Sequence, residues 1–197
     1  WRSAGAAVVP IFAKAAASFV RTSSSVSFNA AIIGATARAS FDRVDREEEG
    51  RLHPGPGLMA SARLVSSRMN ADAVVDAEAD EGAELVGRAG DLNHVFLNLL
   101  DNAAKAAGAD GRLRVRGQVE GEQYVVRGED SGPGVPEGDR DRIFEPFWTT
   151  RPAGEGTGLG LSIARQVVDR HGGSIEVGTS PLGGALFAVR LPGVRVS

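Results

Sequence analysis

No cysteine occurs in this sequence. Disulfides and thiolate metal sites are therefore excluded, and the composition fits a reducing compartment. Long apolar runs are also missing. The longest apolar-looking stretch, AGAAVVPIFAKAAASFV, is broken by Pro10 and Lys14 and is too short to span a bilayer. No small-residue cleavage pattern follows a basic start, so it does not read as a signal peptide. Charge of one sign is not in excess. The formal net charge of −3 gives no argument for a nucleic-acid partner, and none is expected. A starting Met is absent, and a chain that opens on Trp1 is expected to be part of a longer one. There is no internal repeat. What remains is an ordinary globular composition, 42% apolar over 197 residues, enough for one full domain and part of another.

Periodicity divides the chain. In the Ala- and Ser-rich first part, Phe28, Ile32, Ala35 and Ala39 fall on one helical face, and Phe12, Ala16 and Phe19 on another. TSSS at 22–25 reads as the turn between two antiparallel helices, so residues 1–46 are expected to form a partial helical hairpin. The charged, then Gly/Pro-rich run DREEEGRLHPGPG reads as a linker, placed at 47–57. From 58 to 197 the pattern is mixed. Helical faces are carried by Leu58, Ala62, Val65 and Met69, by Leu92, Phe96, Leu99, Ala103 and Ala106, and by Ile163, Ala164, Val167 and Val168, the last helix ending at Gly172. DAVVDAE and AELVGRA are short strand candidates, Leu113 to Val126 a hairpin turning at VEGEQ, and Ile175 to Leu191 two closing strands. The expected fold class is α+β: a two-layer α/β sandwich, with helices on one face of a mixed, mostly antiparallel sheet, preceded by the partial helical hairpin.

Three stretches carry chemistry. In HVFLNLLDNAAKAA, Asn98 and Asn102 are four apart and share a face, and Lys105 reaches the same region. Amide oxygens suit a hard cation such as Mg²⁺ and Lys suits phosphate, although a solvated polar face has the same look. In EDSGPGV, Asp130 can accept from an exocyclic amine, while Gly132 and Gly134 let a flat ring approach the backbone; the same residues are also good turn chemistry. In FEPFWTTRPAGEGTGLGLS, a Gly-rich loop runs into a helix start, which makes an anion site from free N–H groups. No Gly-Lys-Ser/Thr of the Walker kind is present, and the loop does not follow a strand as a dinucleotide fingerprint would.

The order of these stretches resembles the ATP-binding domain of two-component sensor histidine kinases, within the GHKL group of ATPases. Asn98/Asn102, Asp130-x-Gly-x-Gly, Phe144/Phe147 and GTGLGL match that family's N box, first glycine box, F box and second glycine box. HGGSIEV and GGALFAVRLP look like its closing strands, and the likeness runs from about Phe41 to Pro192.

The resemblance implies ATP and Mg²⁺ as cofactors and a histidine as phosphoacceptor. By similarity, Asn102 ligates Mg²⁺, and Asn98 replaces the Glu base of the hydrolysing relatives, so that water is not activated. Lys105 then meets a terminal phosphate, Asp130 the adenine amine, and Gly132 and Gly134 the base. Gly156, Thr157, Gly158, Leu159 and Gly160 line the phosphates. Thr149 and Arg151 join them from a short ATP lid, roughly TTRPAGE, which Phe144 and Phe147 anchor in the core. His171 opens a structural HGG turn. Neither His53, His94 nor His171 has the family's acceptor surroundings, so the accepting histidine is expected before or near Trp1. The resemblance further implies a response regulator receiver domain as partner, a homodimer through the N-terminal helices and a cytoplasmic site, with a membrane involved only through regions upstream. A kinase-like regulatory module and a GHKL ATPase machine are the competing functions; intact glycine boxes oppose the first and Asn98 the second.

Overall fold

The structure, a computed structural model, describes residues 21–22, 25–29, 50–151 and 157–196. The elements in chain order are β1 (Arg21–Thr22), β2 (Ser25–Asn29), β3 (Gly50–Leu52), α1 (Pro54–Ser66), β4 (Val74–Ala79), β5 (Ala83–Gly87), α2 (Ala89–Ala107), β6 (Arg112–Glu120), β7 (Gln123–Asp130), α3 (Gly160–Arg170), β8 (Ser174–Thr179), β9 (Ala185–Pro192) and β10 (Arg195–Val196). Seven strands make one sheet in the order β1-β2-β4-β6-β7-β9-β8. Only β4 and β6 run parallel in it, because α2 carries the chain across between them; every other pair is antiparallel. A smaller antiparallel sheet has the order β10-β5-β3.

The helices lie on one face of the large sheet. α2 packs between α1 and α3 and rests on β6 and β7, while α3 rests on β8 and β9. Their apolar stripes dictate this: Leu92, Phe96, Leu99 and Ala103 of α2 are all buried, as are Ala164, Val167 and Val168 of α3. Asp91 in the first turn of α2 and Lys105 in its last suit the helix dipole. β6 and β7 join through Gly121 and Glu122, with Gly121 at the positive φ that tight hairpins favour. Burial, followed by the charge of Asp80, holds the Tyr124 hydroxyl well above its usual range. The expected α+β sandwich is the observed one. Among the described residues no helix is long and apolar enough to cross a membrane.

Several expectations need correction. Residues 25–29 are not helical. Ser25–Asn29 is a strand whose register sets Val26 against Ala77 and Phe28 against Val75, and Thr22 pairs with Ser25 as strand residues, while the middle of TSSS lies outside the described residues. Alternating Val26 and Phe28 satisfy a period of two as well as one of four, and the open edge of β4 decides between them. The rest of the proposed hairpin lies outside the described residues.

The linker reading also fails over 50–57. Gly50–Leu52 pairs with β5, and Pro54–Gly57 is the first turn of α1. Proline suits a first turn, where no N–H is needed. Gly57 is there for packing, because an added Cβ would come within 2.1 Å of Asn93 Oδ1. His53 occupies the N-cap position without a side-chain capping bond, and its Nδ1 instead bonds to the Ala83 carbonyl at 3.1 Å. Ala106 and Ile163, expected on core faces, are exposed.

Candidate functional site

α2, the end of β7, the loops after it and the start of α3 enclose a cavity of about 500 Å³, a size typical of small-molecule sites. Asp130 stands at one end. It is 1% exposed, and its Oδ1 accepts from the amides of Gly132 at 2.8 Å and Ala185 at 3.2 Å. Both bonds use one oxygen, so Oδ2 is the oxygen available to a ligand. Burial lifts the Asp130 carboxyl above its ordinary value of 3.8, and the two amides pull the other way. The neighbouring backbone is tight. A Cβ on Gly184 would sit 2.0 Å from Asp130 Oδ1, and one on Gly132 would sit 2.7 Å from the Ala106 carbonyl.

Asn98 and Asn102 stand on the exposed-facing side of α2 and line the cavity. Gly160, the first residue of α3, lies against them: its Cβ would be 3.7 Å from Asn98 Oδ1 and 3.8 Å from Asn102 Nδ2. No side chain caps this helix start, although Thr157 Oγ1 accepts from the Leu159 amide at 3.4 Å. The positive end of α3 and two carboxamides therefore meet at one place. Lys105 is half-exposed and pairs with Asp101, which also lines the cavity and reaches Arg68, just past the end of α1, at 3.5 Å.

The rim beyond comes from the loop after β7. Phe144 is buried, edge-on to Phe187 with ring centroids 6.5 Å apart, and Arg165 stacks over it at 5.2 Å. Phe147 is 73% exposed and does not anchor anything in the core. Its backbone explains this: φ is +67, and its amide bonds the Gly158 carbonyl at 2.9 Å, which turns the ring outward. Gly158 has φ +65, and a Cβ there would lie 2.5 Å from the Phe147 carbonyl carbon.

Of the residues singled out in the sequence, Asn98, Asn102, Lys105 and Asp130 line this cavity, as do Gly134, Thr149, Arg151, Thr157, Gly158 and Gly160. Gly132 and Leu159 do not; Gly132 serves close packing against α2. Gly156 lies outside the described residues. His171 bonds the Val167 carbonyl through Nδ1 at 2.8 Å, at the end of α3. Asp101, Trp148 and the Gly184–Ala185 backbone were not foreseen. The glycine pair in SPLGGALF was the available signal for the last.

The arrangement offers a deep acceptor at one end, and amides, an ammonium and a helix start at the other. Among the described residues no group of three His, Cys, Asp or Glu could hold a metal. The oxygens of Asn98 and Asn102 nevertheless fit Mg²⁺, which takes one or two protein ligands and fills the rest from phosphates and water.

The family described as histidine kinase-, DNA gyrase B- and HSP90-like ATPase matches residues 87–195. The sensor protein KdpD of Escherichia coli is 45% identical over 103 residues, covering 51% of this chain and 12% of KdpD. A solved mycobacterial sensor histidine kinase, MprB, superposes with a TM-score of 0.68 at 30% identity, covering 76% of this chain and 100% of that one. The ATP-binding domain of PrrB from Mycobacterium tuberculosis gives 0.61 at 28% identity, covering 75% and 98%. The chain spans between 12% and 34% of the length of the first curated relatives it matches.

Proposed function

Because the chain belongs to the histidine kinase-, DNA gyrase B- and HSP90-like ATPase family and carries the ATP-binding catalytic domain of a sensor histidine kinase, we propose that it transfers the γ-phosphoryl of Mg²⁺-bound ATP to a histidine outside its ordered motifs, for relay to a response regulator receiver domain. The observation that supports this most is the meeting of Asn98, Asn102 and the uncapped start of α3 at Gly160, in the same cavity as buried Asp130.

In this reading Asp130 Oδ2 accepts from the adenine amine, which selects adenine over guanine. The α3 amides and Lys105 hold the phosphates, with Thr149, Arg151 and Thr157 at the rim. Asn102 would hold Mg²⁺, which would supply charge neutralisation for the phosphates. Asn98 is an amide and takes no proton from water, so the site positions a phosphoryl group without activating hydrolysis. The leaving group is ADP, and the accepting imidazole is supplied from elsewhere. ATP and a receiver partner put the site on the cytoplasmic side. We propose no dimer contact through residues 25–29, which are a strand.

The test is calorimetric titration of this chain with a non-hydrolysable ATP analogue, with and without Mg²⁺. Mg²⁺-dependent binding is expected. A folded chain that binds no adenine nucleotide would refute the proposal.

A further inference from the structure

The cavity has two carboxylates, Asp130 at the buried end and Asp101 at the end of the asparagines. Asp101 has no part in the motifs, yet it is the one acidic side chain among the described cavity-lining residues near Asn98 and Asn102. Both of its oxygens are engaged. Oδ2 meets Lys105 Nζ at 2.5 Å, one helical turn on, and Oδ1 meets Arg68, in the turn that follows α1, at 3.5 Å. Lys105 and Arg68 are half-exposed, so this is a wet ion triad on the rim of the phosphate end.

We infer that Asp101 is a specificity residue that makes the site prefer metal-bound over free nucleotide; this rests on the ATP reading above. Two effects act together. The Asp101 carboxylate neutralises Lys105, the cation a bare triphosphate would otherwise recruit. Its own negative charge also repels uncompensated phosphate at the same rim. A triphosphate already carrying Mg²⁺ needs less from Lys105 and is repelled less. The two amides beside it are neutral and cannot make this discrimination by charge.

The experiment titrates a non-hydrolysable ATP analogue, in Mg²⁺ and in excess chelator, into the wild-type chain, Asp101→Asn and Asp101→Glu. Asp101→Asn should bind the metal-free analogue about tenfold more tightly, the effect of one unit charge in a partly solvated site. Its affinity for the Mg²⁺ complex should change by less than about twofold, since that ligand's phosphate charge is already compensated. Asp101→Glu keeps the charge and the i, i+4 spacing to Lys105, and should keep the wild-type ratio of the two affinities. The inference is overturned if Asp101→Asn shifts both affinities by one factor or neither, or if Asp101→Glu behaves like Asp101→Asn. A wild-type chain that binds no adenine nucleotide in either condition would sink the ATP reading itself, and this inference with it.

Discussion

Asp130→Asn separates what the cavity does for a ligand from what it does for the fold. The Asn oxygen must keep accepting from the Gly132 amide, 2.8 Å away, and the Ala185 amide, 3.2 Å away. Its NH₂ then takes the place of Oδ2 and presents donors to the adenine amine, itself a donor. The loss is one charge-assisted bond, about 1.5–3 kcal/mol, plus donors left unsatisfied, about 1–3 kcal/mol. Nucleotide affinity should therefore fall roughly 10²- to 10⁴-fold, as read by calorimetry. Stability should not fall. Because burial raises the folded Asp130 pKa, its contribution is complete below the ordinary carboxylate value of 3.8 and is lost as pH rises through the raised value. The neutral amide does not lose it. Thermal melts across that window should show the variant gaining on wild type as pH rises, then holding a constant difference. Unchanged affinity would refute the base contact. A variant less stable than wild type at neutral pH would refute the argument from burial.

Three other substitutions probe the frame. Gly128→Ala should stabilise by about 0.5–1 kcal/mol, seen as a melting point higher by about 2 °C, because Gly128 lies within β7 and its Cβ would meet only Leu100 Cδ2, at 3.8 Å. Gly184→Ala should cost about 2–3 kcal/mol in denaturant unfolding, since its Cβ would lie 2.5 Å from the Asp130 carbonyl oxygen and 2.6 Å from the Gly132 amide, and backbone cannot step aside. Asn102→Ala should lower the affinity of the Mg²⁺ complex toward that of free nucleotide, leaving the part of the preference that Asp101 carries, and should leave the free-nucleotide affinity unmoved, the opposite signature to Asp101→Asn; calorimetry with and without Mg²⁺ reads both.

What the sequence made legible was local and periodic. Leu92, Phe96, Leu99 and Ala103 announce α2, and once that helix is drawn Asn98 and Asn102 must share a face. Where meaning depends on distant chain, reading failed. Ser25–Asn29 is a strand because β4, some fifty positions on, offers it an edge. The Pro/Gly run at 54–57 looked like a linker until Asn93 was seen to sit against Gly57. Phe144 and Phe147 share a spacing that promises a common fate, but the left-handed residue breaks it. Asp101 is an unremarked helix position until Arg68 arrives from the turn after α1.

The bond from the Phe147 amide to the Gly158 carbonyl has a consequence for how the chain can be lengthened. It pins together two points eleven residues apart, so the span between them begins and ends at one place whatever it contains. Closing a span of twice that length costs only about 0.6 kcal/mol more. Residues added between Arg151 and Thr157 would thus leave α3, Asp130 and the asparagine pair where they are. This is the position at which a reporter peptide or a small domain could be spliced into the chain, with its ends already held beside the cavity.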